Sequence, residues 1–195
     1  MVDLDGTLIR EENDISNVVL QSIRDLSTKI SVSIATGRDK DDVLRFSRII
    51  GLSGPQISEN GALIIDSGSG ETLARWTMDS TSSDSILHLL NKELIPYLAT
   101  GPGISIRGPV KDQVKASHGS FSRISALDML EKDADALVNT TANQSNVDVA
   151  KAFLPYNNLW AVDFTLAGIN KASGAMWVAD KFNLLPSEII AVGDS

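Results

Sequence analysis

The sequence predicts an α/β fold built on a parallel sheet, interrupted by an inserted α+β layer. Three observations predict it. In residues 1–76 short apolar runs alternate with amphipathic segments, the pattern of strands flanked by helices. In residues 77–166 the strand-like runs alternate apolar with polar residues instead, which implies a sheet with one wet face. After Gly168 the first style returns. The chain therefore divides into a discontinuous core, 1–76 and 167–195, and an insert, 77–166.

The elements follow in order. "MVDL" is a stub of strand. Ile15, Val19, Ile23 and Leu26 recur at helical spacing behind Ser16, a suitable N-cap. "ISVSIA" (30–35) is a β-rich run ending at "TGR", and Val43, Phe46 and Ile50 mark a helix that starts near Asp39. "PQISENGALIID" (55–66) reads as strand, glycine turn and strand, with "ETLARW" (71–76) returning as a hairpin. In the insert, Ile86, Leu90 and Leu94 form a helix face. "GISIRG" (103–108) and "LWAVDFTL" (159–166) are strands, the second with Trp160, Val162, Phe164 and Leu166 on one side. Helices are expected at 124–132 and around 145–153. In the last part Ala172, Ala175, Ala179 and Phe182 make a helix face, and "EIIAV" (188–192) reads as a buried strand.

Composition narrows the chemistry. The 195 residues are 43% hydrophobic and 22% charged, an ordinary globular balance. With no cysteine and only two histidines, His88 and His118, a metal here is a hard cation held by oxygens. A net charge of −8 disfavours nucleic acid and anionic membranes as partners. No apolar stretch approaches the length of a membrane span and no signal-peptide pattern is present, so the expectation is a soluble, cytoplasmic protein.

Four short motifs carry chemistry. Asp3 and Asp5 stand two apart at the end of the first strand, and residues two apart in a strand share a side. Strand C-termini are where open α/β sheets bind ligands. Two carboxylates there repel unless a cation or a shared proton stabilises them; the alternative is an Asp-Gly turn that simply reverses the chain. "ATGR" (35–38) also joins a strand to a helix, where a hydroxyl and free N–H groups suit a phosphate oxygen, or where Thr36-Gly37 is only a connecting turn. In "GINKASG" (168–174), Asn170 is an N-cap and Lys171 falls in the first helical turn. It opposes the helix dipole there, at roughly 0.3–1 kcal/mol. Either it is a solvated lysine, or the broken rule marks an anion site. Last, "AVGDS" (191–195) puts Asp194 at another strand end.

In that order, "DLDGTL", "ATGR", the lysine of "NKASG" and "VGDS" resemble the haloacid dehalogenase (HAD) superfamily of phosphotransferases. The resemblance is to its type IIB, Cof-like branch, where a cap is inserted between the second and third motifs and a segment like "SENGALI" (58–64) follows the second. It implies a Rossmann-like HAD core with an α+β cap that closes over the phosphate. It implies that Asp3 is the nucleophile and forms an aspartyl-phosphate, and that Asp5 is the general acid and then base. It implies Mg²⁺ on the Asp3 carboxylate, the Asp5 carbonyl and Asp194, with Thr36, Gly37, Lys171 and the Gly6 N–H at the phosphoryl oxygens. The implied substrate is a small phosphorylated metabolite, such as a sugar phosphate or phosphoglycolate. A phosphomutase of the same superfamily and an inactive phosphometabolite-binding fragment are the alternatives. A metal-dependent glycosyltransferase also uses Asp-x-Asp, but gives Lys171 and Asp194 no role. The family pattern has a longer first strand and an Asn-Asp pair after the fourth motif, so the chain reads as truncated at both ends.

Overall fold

The computed structural model describes residues 1–9, 14–109, 119–142, 144, 146–154 and 156–193. In chain order its elements begin with α1 (Asn17–Ser27), α2 (Lys40–Ile50) and the strands β1 (Pro55–Ser58), β2 (Leu63–Asp66) and β3 (Thr72–Arg75). There follow α3 (Ser80–Lys92), β4 (Tyr97–Gly101), β5 (Ile104–Gly108), β6 (Arg123–Met129) and α4 (Glu131–Thr141). The last are β7 (Val147–Leu154), β8 (Leu159–Leu166) and α5 (Lys171–Lys181). They form two compact units, Met1–Arg75 with Ile169–Ser195, and Trp76–Gly168.

The first unit is organised by main-chain pairing around residues 1–3. Val2 bridges in parallel to Ile34 on one side and Val192 on the other, and Ala35 bridges in parallel to Ile57 of β1. β1 then pairs antiparallel with β2, and β2 with β3. Four parallel segments thus run into an antiparallel hairpin. Val2, Leu4, Ile34, Phe46 and Ile50 are buried together beneath α1 and α2.

Local chemistry sets both helices. Ser16 caps α1 by accepting the Val19 N–H at 3.4 Å. Val19, Leu20 and Ile23 pack on the core, while Leu26, expected on that face, is half-exposed. Asp39 caps α2 through the Asp42 N–H at 3.1 Å, and Gly51 ends it in the left-handed conformation. Val43, Phe46 and Ile50 are fully buried, each contributing about 1.5–3 kcal/mol of transfer free energy.

Two expectations for the last segment need correction. The buried seam of α5 runs through Gly174, Val178 and Ala179, while Ala172 and Phe182 are exposed. The helix is rotated because its small residues meet the sheet: a Cβ on Gly174 would lie 2.9 Å from Ile57 Cγ2. Residues 188–192 do not form a buried strand. Pro186–Glu188 is a 3₁₀ turn, and Ile190 and Val192 are 72% and 51% exposed. Among the described residues the segment pairs with residues 1–3 alone, and its apolar side chains are not enclosed.

The second unit is a five-stranded antiparallel sheet in the order β5-β4-β6-β8-β7. The expected helix at 124–132 is the strand β6 followed by α4, and the expected helix near 145–153 is the strand β7. Pairing decides both: residues 123–126 are hydrogen-bonded partners of β4 on one side and β8 on the other, and β7 matches β8 along its whole length. α3 ends at Lys92, so Leu94 leaves the predicted face, adopts φ +55° and is exposed.

The two sheet faces differ sharply. Trp160, Val162, Phe164 and Leu166 join Ile104, Ile106, Ile124 and the apolar sides of α3 and α4 in one core. The cross-strand pairs Thr100↔Arg123, Arg123↔Thr165 and Ser125↔Asp163 occupy the other face. That face is polar, as alternation predicts, but Arg123, Ser125, Asp163 and Thr165 are buried rather than wet.

Candidate active site

Parallel pairing in the first unit brings the ends of residues 1–3, residues 33–35 and β1 to one rim. The Ala35 N–H donates to the Val2 carbonyl and the Thr36 N–H to the Ile57 carbonyl, at 2.9 and 3.1 Å. Asp3, Thr36 and Ser58 are therefore neighbours in three adjacent segments, at the carboxyl ends where ligands bind.

After Asp3 the chain turns tightly. The Leu4 carbonyl accepts from the N–H groups of Thr7, Leu8 and Ile9. The turn gives the two aspartates different partners. Asp3 is 8% exposed; its Oδ1 accepts the Leu4 N–H at 2.7 Å and its Oδ2 accepts Lys171 Nζ. Asp5 is gripped by Arg38, with Nε 2.9 Å from Oδ2 and Nη2 2.7 Å from Oδ1. Each carboxylate thus has its own side-chain cation. The Gly6 N–H, expected at a phosphoryl oxygen, donates to the Ile9 carbonyl at 3.0 Å and is already occupied.

The approach of α5 positions Lys171. Asn170 and Ser173 cap the helix reciprocally, Ser173 N–H to Asn170 Oδ1 and Asn170 N–H to Ser173 Oγ, both at 2.9 Å. The capped end rests on the turn at 59–61. Gly61 has φ +95°, and a Cβ there would lie 2.0 Å from the Asn170 carbonyl oxygen. Only glycine allows this contact, and the contact carries Lys171 to Asp3 across 168 residues of sequence.

The same turn braces the "ATGR" loop. The Asn60 N–H donates to the Thr36 carbonyl at 3.0 Å, and the Glu59 N–H and Ser58 Oγ donate to the Arg38 carbonyl at 2.9 and 2.8 Å. A Cβ on Gly37 would lie 3.0 Å from Asn60 Oδ1. Thr36 is fully buried, and its Oγ1 accepts the Arg38 N–H at 3.2 Å, which leaves the hydroxyl proton to donate elsewhere. Glu59 and Asn60 both hold positive φ, at 52° and 54°, so this turn carries backbone strain next to the site.

The electrostatics centre on Arg38. Burial works against its charge, but hydrogen bonding and attraction from Asp5, then from Asp42, outweigh it and raise the guanidinium above its ordinary value. The group is a fixed cation. Sequence reasoning missed Arg38, since an arginine beside a helix start reads as solvated. It noted the "SENG" segment without a role for it; positive φ at consecutive residues before a strand is the feature that distinguishes it.

The donors suit a hard cation in kind, all being oxygens. The Asp3 carboxylate is present, and no main-chain hydrogen bond among the described residues ends on the Asp5 carbonyl. Asp194, the third expected ligand, lies outside the described residues. Among the described residues no three Asp, Glu, His or Cys side chains converge on one point. No helix among them is long and apolar enough to cross a membrane.

Comparison with known proteins gives the family. A family model of haloacid dehalogenase-like hydrolases matches residues 1–195. A phosphoglycolate phosphatase of Methanococcoides burtonii is 23% identical over 207 residues, covering 100% of this chain and 74% of the relative. Among solved structures, a haloacid dehalogenase-like hydrolase from B. subtilis superposes with a TM-score of 0.82 at 18% identity, over 100% of this chain and 82% of the other. A HAD subclass IIB sugar phosphatase superposes with a TM-score of 0.78 at 17% identity, over 100% and 79%.

Proposed function

Since the chain belongs to the haloacid dehalogenase-like hydrolases, we propose that it is a phosphatase of small phosphorylated metabolites that works through an aspartyl-phosphate on Asp3. The observation that carries the reading is the meeting of buried Asp3 with Lys171 from the far end of the sequence. A nucleophilic carboxylate needs a cation beside it that also faces the group it attacks.

The Asp3 carboxylate oxygen forms a bond to phosphorus as the ester P–O bond breaks. Asp5 donates a proton to the departing alcohol oxygen. Asp5 then takes a proton from water as that water's oxygen bonds to phosphorus, and the acyl-phosphate bond breaks. Inorganic phosphate leaves and Asp3 is restored. Lys171 has three N–H donors and uses one on Asp3, so two remain for phosphoryl oxygens. The Thr36 hydroxyl has its proton to give to another. Mg²⁺, when bound, would be held by the Asp3 carboxylate, the Asp5 carbonyl and Asp194, and would neutralise charge on the phosphoryl oxygens.

The inserted unit serves in this reading as the cap that selects the substrate. A sugar phosphate or phosphoglycolate is the substrate class of this reading, in line with the phosphatases the chain is similar to. Release of inorganic phosphate from a panel of sugar and organic-acid phosphates, with Mg²⁺ and with a chelator, tests the reading. Full turnover in the chelator would remove the metal role. An isomeric phosphate ester in place of free phosphate would make the protein a mutase.

A further inference from the structure

We infer that Arg38 is a positioning residue that holds the Asp5 carboxylate in the orientation for proton transfer to the leaving oxygen, with Asp42 and Phe46 of α2 as its support. The inference rests on the phosphatase reading and goes beyond it. That reading needs Asp5 to be present; the structure adds what aims it.

The side chain of Arg38 is fixed at every polar atom. Nε lies 2.9 and 3.2 Å from the two Asp5 oxygens, and Nη2 lies 2.7 Å from Oδ1. Nη1 lies 3.1 Å from Asp42 Oδ2. The guanidinium carbon sits 5.4 Å from the centre of the Phe46 ring. Asp42 is itself held by Arg45, 2.9 Å away, whose own guanidinium lies 4.1 Å over the same ring. The backbone is fixed as well: the N–H donates to Thr36 Oγ1, and the carbonyl accepts from Glu59 and Ser58. Asp5, by contrast, stands in the turn after residues 1–3, outside any helix or strand among the described residues. The planar fork is what fixes the plane of its carboxylate.

Geometry allows the clamp and the proton transfer together. A carboxylate offers about four lone-pair sites and the fork makes three contacts, so about one site remains to exchange a proton without release of Arg38. A clamp that orients an acid differs from one that binds phosphate. It affects esters whose leaving oxygen needs a proton, and spares those whose leaving group departs as a stable anion.

The experiment compares wild type, R38A, R38K and D42N on glycerol 2-phosphate and on 4-nitrophenyl phosphate. For R38A we expect kcat on the alkyl ester to fall about 10²-fold or more, the scale of general-acid catalysis. On the aryl ester we expect a loss of only a few fold, with KM little changed on either. R38K cannot fork and should stay low on the alkyl ester; D42N should show the same split at smaller size. Equal loss on both esters, or an effect mainly in KM, would overturn the proposal. If R38A fails to fold in a thermal melt, R38K and D42N carry the same test. A separate readout is the Arg38 Nε–H resonance, slow to exchange with solvent in the wild type and lost in D5A. Wild type that turns over neither ester overturns the phosphatase reading. Wild type that turns over both but lacks the protected resonance overturns the clamp.

Discussion

At the first turn of α5 a lysine opposes the helix dipole, and the Asp3 carboxylate offsets that cost. The pair is asymmetric: Asp3 is buried whereas a third of the Lys171 side chain is exposed. Replacing Asp3 with Asn should keep the acceptor for the Leu4 N–H and the fold, while turnover falls by roughly 10⁴-fold or more, since the proposed nucleophile is lost. A phosphate-release assay alongside a thermal melt checks both halves. Lys171→Ala removes a donor rather than the nucleophile, so kcat/KM should fall about 10²–10³-fold. At this scale the residues legible in the sequence are those that break a local rule. Two close carboxylates and a misplaced cation need a reason, and Asp3, Asp5 and Lys171 supply one. Arg38 breaks no rule, because a charged side chain before a helix is ordinary, and only the fold brings Asp5 to it.

Elements are held by contacts of different kinds, and two glycines separate them. Gly51 and Gly61 both have φ near +90°, yet a Cβ at Gly51 meets nothing within 4 Å while one at Gly61 meets the Asn170 carbonyl. Gly51→Ala should therefore cost only the left-handed backbone penalty, about 1–2 kcal/mol. Gly61→Ala adds a steric clash that pushes α5 off its seat, and should exceed that by at least ~2 kcal/mol with loss of turnover as well. Paired denaturant titrations decide it. A second prediction concerns Asp79, which caps α3 by accepting the Ser82 N–H at 2.8 Å. That backbone bond, with the Ser82 hydroxyl, holds the carboxyl below its ordinary value. A depressed acid stabilises the fold above its unfolded value and loses that contribution as pH falls through the folded one. The first turn of α3 should fray in strong acid, seen as faster amide exchange at Ser82, and Asp79→Ala should abolish that dependence. Helices with a cap and a one-sided apolar stripe, α1 and α2, were readable for this reason. β6 and β7 were not: "RISALDM" fits a period of 2 or of 3.6, and partners distant in sequence choose between them.

Each unit of the whole molecule buries its own core, and among the described residues the core of the second draws on residues 78–166. Residues 76–168 expressed alone should therefore fold, with protected amides in β4, β6 and β8; an unfolded spectrum would show that this core needs the rest of the chain. In the sequence the strand pattern changes near 77 and again after Gly168. Burial of the polar sheet face was not legible there, since alternation reports which side a residue takes and not what lies against it. The first unit, split in sequence, has a further consequence in time. Asp3 leaves the ribosome first, and the lysine that meets it follows 168 residues later. At ~5–20 residues per second that is a delay on the order of ten to thirty seconds. Throughout that interval Asp3 waits without its counter-charge, while the whole second unit emerges. On the proposed mechanism the Asp3–Lys171 pair forms only when α5 docks on the turn at 59–61, so a chain stalled before residue 171 should release no phosphate.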